Sequence, residues 1–255
     1  MLQQEMREFM VKGQPFSLEE ASLALKLSPK KASDYLFRMI KQGHVLRLRR
    51  GIYFPVSNKG LLPEEALADP WIVTPFLFKD GYIGGLSMLH FWGLTDQLFN
   101  TTVIFKREKI VQKTCVVSRF TYILFKDRLK MDLGIETLWR ETVKVRVSSV
   151  HRTMVDVLIT PEAGGGIQHV IDCFKIYMKE HYDENHFMPL ILSIENSVFF
   201  KRLGFLIEKI LGENHPLISL CKNRLKNGCS KIDTALPCPT LVTKWNLYIE
   251  KGLAF

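Results

Sequence analysis

Three observations predict an α+β fold. Short runs rich in β-branched and aromatic residues occupy the first half of a larger C-terminal portion. Long helical patterns fill the second half, and the first 58 residues carry a separate pattern of three helices and a hairpin. Strands followed by helices, rather than alternating with them, separate this class from a parallel α/β sheet. The chain has 255 residues, 47% hydrophobic and 24% charged, which supplies a core and excludes wholesale disorder. No apolar run approaches the roughly 18 residues that cross a bilayer. The start, Met1-Leu2-Gln3-Gln4-Glu5, lacks a basic segment followed by an apolar one, so a cytoplasmic protein without a membrane partner is expected.

Each N-terminal element has its own signal. A first helix fits residues 2–12 and ends at Gly13, and Pro15 breaks the chain. Ser17 with Glu20 three residues on forms a capping-box signature for a second helix, whose Leu18, Ala21 and Leu25 share one face. After a turn at Leu27-Ser28, Ser28 is an N-cap and Pro29 is preset for the first helical position of a third helix. That helix runs to Gln42 before Gly43, with Ala32, Leu36, Met39 and Ile40 as its apolar stripe. Leu46 and Leu48 then alternate with Arg47 and Arg49 in a strand, Arg50-Gly51 reads as a tight turn, and Ile52-Tyr53-Phe54 returns. Helix, turn, helix and a basic hairpin make a winged helix-turn-helix over residues 1–58, with a second domain over 59–255.

The charge concentrates in this module. The formal net charge is +9, and residues 1–59 hold 11 Lys and Arg against 5 Asp and Glu, whereas the remainder holds 24 against 21. One-signed charge on a single module is an electrostatic footprint for a polyanion. Anionic membrane is the weaker target, because the segment lacks the apolar face of an interfacial helix. In a winged helix-turn-helix the third helix enters the major groove. Ser28, Lys30, Lys31, Ser33, Tyr35 and Arg38 are therefore expected at the groove, with Lys41, Arg47, Arg49 and Arg50 on phosphates or the minor groove. A winged helix that binds only protein is the plainer alternative.

Beyond a connector at 57–70, Asp69-Pro70 can cap a helix through Phe78, Gly81–Ile83 is a short strand, and Gly84-Gly85 opens a helix over 86–92. Strands fit Thr102–Phe105, Cys115–Val117, Thr121–Phe125 and Val143–Val147. Helices fit 150–158, 166–181, 186–194, 197–211 and 216–226, and a last strand fits Trp245–Glu250. The basic loops at Lys106-Arg107 and Lys126–Lys130 could extend the DNA footprint through Lys106, Arg107, Lys126 and Arg128. Arg152 and Asp156 are one helical turn apart and are expected to pair; a phosphate contact by Arg152 at the helix start is the alternative.

Signs of catalysis are weak. The five cysteines are scattered without a Cys-x-x-Cys pair, and His181…His186 matches no metal-ligand spacing, so neither metal nor cofactor is expected. Gly164-Gly165-Gly166 is not a phosphate-loop motif. No Glu-x-Lys occurs after residue 59, which together with the missing phosphate-loop motif counts against the main rival function, a nuclease or nucleotide-handling enzyme targeted by the winged helix.

Several stretches resemble one family. Gly43–Tyr53, Tyr82–Thr95, His151–Leu158 with Pro161 and Gly164–Gly166, Arg202–Leu206 and Lys244–Leu247 are similar, in order and along nearly the whole chain, to blocks of the AbiEi-type antitoxins, the transcription regulators of type IV toxin–antitoxin (abortive infection) systems. His151 stands where that family often has an acidic residue, and Thr234–Pro237 where it has Leu-Asp-Pro. The resemblance implies a non-enzymatic, DNA-binding autorepressor and antitoxin that binds inverted repeats in the promoter of its own operon. It implies a nucleotidyltransferase-like toxin opposed without a stable complex.

Overall fold

The computed structural model describes residues 9, 11–56, 65–129 and 131–255. The α+β class holds: nine α-helices and three sheets are present among the described residues. The expected helix over 2–12 and the boundary at 58/59 lie largely outside the described residues. The chain divides into two compact units. One draws its described residues from Met1–Ile83, Asn100–Leu124 and Thr137–Val147, the other from Gly84–Phe99, Phe125–Glu136 and Ser148–Phe255.

In the first unit, β1 (Phe16–Ser17) leads into α1 (Leu18–Ala24). The capping box is present in full: Ser17 Oγ accepts from Glu20 N at 3.1 Å, and Glu20 Oε2 accepts from Ser17 N at 2.6 Å. Together the two bonds satisfy two orphan donors of the first turn. Helix α2 (Pro29–Lys41) is capped by Ser28. Strands β2 (Val45–Arg49) and β3 (Ile52–Pro55) form the hairpin, with a register irregularity between Arg47 and Arg49. Gly51 turns it at φ +80°, a conformation that favours glycine. The sequence reading missed β1, which adds to β3 and makes a three-stranded sheet in the order β1-β3-β2. Phe16, Ala21, Leu25, Leu36, Val45 and Tyr53 form the core beneath, with Leu18, Tyr35, Met39 and Ile40 packed against it.

The expected helix from Asp69-Pro70 to Phe78 shrinks to the single turn α3 (Thr74–Leu77). Asp69 instead accepts from Trp71 N at 2.8 Å, a local turn that competes with helix initiation. A six-stranded sheet follows in the order β6-β7-β5-β4-β9-β8, from β4 (Tyr82–Ile83), β5 (Thr101–Lys106), β6 (Thr114–Val117), β7 (Phe120–Lys126), β8 (Ile135–Arg140) and β9 (Val143–Ser148). Strand β8 was not expected. It is an edge strand with only exposed and half-buried positions, so hydrophobic alternation is weak there.

The second unit is mainly helical: α4 (Gly85–Phe91), α5 (Val150–Ile159), α6 (Ile167–Glu180), α7 (Glu184–Leu192), α8 (Ser197–Leu211) and α9 (Leu217–Asn223). A small sheet of β10 (Ser230–Lys231), β12 (Leu247–Ile249) and β11 (Thr240–Val242) completes it, with β12 central. Helix α5 is buried continuously from Arg152 to Leu158, and α8 from Phe199 to Ile207. Gly204 of α8 lets the Trp245 ring lie against the helix backbone; a Cβ there would stand 2.2 Å from the ring. Trp245 is fully buried and donates from Nε1 to Glu208 at 2.6 Å.

Candidate nucleic-acid interface

Helix α2 is amphipathic because its small and aliphatic residues recur on one face. Ala32 and Leu36 are fully buried, whereas Lys30, Lys31, Asp34, Phe37, Arg38 and Lys41 are exposed. None of these four cations has an ion pair among the described residues, and Asp34 is the one acidic side chain on the helix. Arg38 and Lys41 also sit in the last turn, where positive charge is favoured by the helix dipole.

Aromatic rings order part of this face. The Arg38 guanidinium stands 5.6 Å from the centre of the Tyr35 ring, and Lys41 Nζ stands 4.8 Å from that of Phe37. Tyr35 is half-buried and also packs on the core, so it is less available to a partner than the sequence suggested. Ser33 is half-buried. Ser28 is exposed, but its hydroxyl accepts from Lys31 N at 3.5 Å as the helix cap. Phe37 was missed: it is 57% exposed beside Lys41, although an aromatic in an amphipathic helix is ordinarily read as core.

The hairpin divides the arginines. Arg47 and Arg50 are exposed, without an ion pair among the described residues. Arg49 is turned to another use: its Nη1 donates to Leu77 O at 2.9 Å and its Nη2 to Phe76 O at 3.2 Å. These carbonyls end α3 and have no partner within that helix, so the guanidinium satisfies orphan acceptors and ties the hairpin to α3 within the first unit. Nearby, Gln14 Nε2 donates to Thr142 O at 2.8 Å, and Thr142 Oγ1 donates to Lys12 O at 3.2 Å. The N-terminal elements are therefore anchored to the strand pair β8–β9.

The loop residues differ again. Lys106 donates to Glu108 at 3.0 Å and lies 3.8 Å from Asp80, while the backbone N–H groups of Arg107 and Glu108 donate to Asp80 Oδ2. Lys106 is thus locally neutralised. Lys126 and Arg128 belong to the second unit and line a cavity there.

Arg152 is corrected outright as a DNA contact. Its side chain is fully buried and pairs with Asp127 at 2.7 Å and Asp156 at 2.9 Å. Nη1 also donates to the carbonyls of Met131 and Leu133, at 3.1 and 2.8 Å. A guanidinium enclosed by two carboxylates and two carbonyls has no face left for phosphate. The expected pair with Asp156 is present; Asp127, 25 residues upstream, was not foreseen.

Gly164–Gly166 makes a tight entry to α6, and the amide of Ile167 is taken by Asp233 Oδ2 at 3.0 Å. In the His181–His186 segment Asp183 caps α7 and accepts from His186 at 3.0 Å. Among the described residues no group of three His, Cys, Asp or Glu side chains is placed to hold a metal, and no helix is long and apolar enough to cross a membrane.

No family model matches the chain, and no curated protein matches it. Among solved structures it is similar in fold to the crystal structure of the RV2827C protein from Mycobacterium tuberculosis. The TM-score is 0.60 at 10% sequence identity, over 96% of this chain and 89% of that one.

Proposed function

We propose that the protein is a DNA-binding transcriptional repressor, with α1 and α2 as a helix-turn-helix, α2 as the recognition helix and the β2–β3 hairpin as its wing. The observation that carries this reading is the six-cation surface of Lys30, Lys31, Arg38, Lys41, Arg47 and Arg50. All six are exposed, and none is neutralised by an ion pair among the described residues. Lys30, Lys31 and Arg38 stand for base edges and nearby phosphates, and the others for the backbone or minor groove. The resemblance to AbiEi-type antitoxins adds the finer reading: a cytoplasmic, non-enzymatic autorepressor that binds inverted repeats in its own promoter and opposes a nucleotidyltransferase-like toxin without a stable complex.

Titration of the full chain with promoter DNA over a range of salt tests the DNA reading. Six neutralised phosphates give log K against log salt a slope near −5, at about −0.9 per phosphate. Arg38→Ala should flatten base preference at one position, whereas Lys41→Ala should weaken all sequences alike. A slope near zero, or no binding at low salt, rejects DNA in favour of a protein-binding module. Toxicity rescue by the full chain in cells expressing the neighbouring toxin gene tests the antitoxin reading separately.

A further inference from the structure

The middle of the outward face of α2 is not basic. Lys30, Asp34, Phe37 and Lys41 follow one another at spacings of four, three and four residues, so they form one stripe along the helix, opposite the buried Ala32 and Leu36. Lysines end the stripe, and Asp34 and Phe37 stand between them, with Lys31 and Arg38 alongside. Neither central side chain suits a phosphate: a carboxylate repels it, and a phenyl ring has no donor for it. Both suit a base edge, since cytosine presents a donor at N4 and thymine a methyl group at C5.

Phe37 is the more telling of the two. Lys41 lies over its ring, with Nζ 4.8 Å from the centre, and 57% of the residue is still open to solvent. Its neighbours along the stripe are charged, unlike those of a contiguous apolar patch that docks a protein. Lys30, Lys31, Arg38 and Lys41 instead draw a polyanion to this face. On the floor of the major groove every base-edge group except one is polar, and covering a donor or acceptor with a phenyl ring costs its hydration. The exception is the thymine methyl. We propose that Phe37 is a specificity-determining residue of α2, its ring placed against the C5 methyl of one thymine in the major groove. The assignment rests on the reading of α2 as a recognition helix and adds one base to it. A methyl contact is a smaller lever than a bidentate pair made by Arg38: about fourfold in affinity, against about tenfold or more.

The test starts from a duplex that the full wild-type chain selects from a random-sequence pool. Anisotropy titrations compare this duplex with copies in which single thymines are replaced by deoxyuridine, which lacks only the methyl group. Wild type should lose about fourfold at one thymine of the site. Phe37→Ala should bind the thymine duplex about fourfold more weakly than wild type does, match wild type on the deoxyuridine duplex, and no longer tell the two apart. Its salt slope should equal that of wild type, because the ring neutralises no phosphate. Phe37 is exposed, so thermal melts of the variant should be unchanged. A duplex bound with the expected salt slope, but with no thymine sensitive to loss of its methyl, overturns the proposal and leaves the DNA reading standing. A methyl effect that Phe37→Ala retains in full does the same. Failure of the pool to yield any duplex removes the DNA reading itself, and the proposal with it, and leaves Phe37 to a protein partner.

Discussion

Arg49→Ala separates the two uses of a hairpin arginine. Sequence reading assigns Arg49 to DNA phosphates alongside Arg47 and Arg50, whereas its guanidinium donates to Leu77 O and Phe76 O. A hydrogen bond to a charged group contributes about 1.5–3 kcal/mol when well buried. Arg49 remains exposed, so we assign about 1.5 kcal/mol to the two bonds together. With an m-value of about 3 kcal/mol/M for urea, the unfolding midpoint should fall by about half a molar. Arg49→Lys should lose most of the same stability, because a single ammonium cannot reproduce the fork that reaches both carbonyls. On DNA, Arg49→Ala should leave the salt slope near its wild-type value, whereas Arg47→Ala and Arg50→Ala should each reduce it by about 0.9 without moving the midpoint. The experiment is urea denaturation followed by circular dichroism, paired with anisotropy titrations at several salt concentrations. An Arg49→Ala protein with a wild-type midpoint and a slope reduced by one would refute the assignment.

Four further outcomes follow from the second unit. Gly204→Ala should destabilise by about 2–3 kcal/mol, because the new Cβ meets the buried Trp245 ring at 2.2 Å and overpacking outweighs the roughly 1 kcal/mol gain in helix propensity. Trp245→Leu should be less costly in the Gly204→Ala background than alone, as a double-mutant cycle in urea would register. Arg152→Ala should cost about 3–5 kcal/mol, since it strands Asp127 and Asp156 in the interior; a folded variant that merely lost DNA affinity would contradict the burial argument. Burial, followed by the charge of His186, holds His151 below its ordinary pKa of 6.5. The unfolded chain therefore binds more protons in that region, so the His151 contribution is complete above pH 6.5 and declines as pH falls toward the folded value. His215 is shifted the same way by burial, so His151→Gln should flatten only part of the stability slope between pH 7 and 5. An unchanged slope would exclude His151 as a contributor.

What could be seen in the sequence was local. Ser17 with Glu20, Ser28 with Pro29 and Arg152 with Asp156 each lie within one helical turn, where spacing alone brings the groups together. Most helices and strands of the second half were legible for the same reason. The misses share long sequence separation or short length. Asp127 reaches Arg152 across 25 residues, Arg49 finds α3 27 and 28 residues away, and Gly204 meets Trp245 across the helical unit. Strand β1 has two residues and β8 is an edge without a buried face, so neither offers a period to detect. Within the candidate interface, the charge pattern picked out a helix and a hairpin that the chain does form. It could not tell a cation facing solvent from one that holds the fold together.

That distinction sets how the proposed interface would work. Arg152, Arg202 and Lys201 are as basic as any groove residue, but each is enclosed and donates to acceptors inside the second unit. The cations left facing outward are unequal too. Lys30 and Lys31 are long, flexible and unsupported, so they suit phosphates that lie in slightly different places on different sequences. Arg38 is held over Tyr35, and Tyr35 is itself fixed against the core through its neighbours in α2. A planar donor fork placed in advance loses less freedom on pairing with a base edge than a free lysine does. Affinity would therefore rest on the lysines and the hairpin arginines Arg47 and Arg50, whereas discrimination between sequences would rest chiefly on Arg38, because only its orientation is set by the core of the module that carries it.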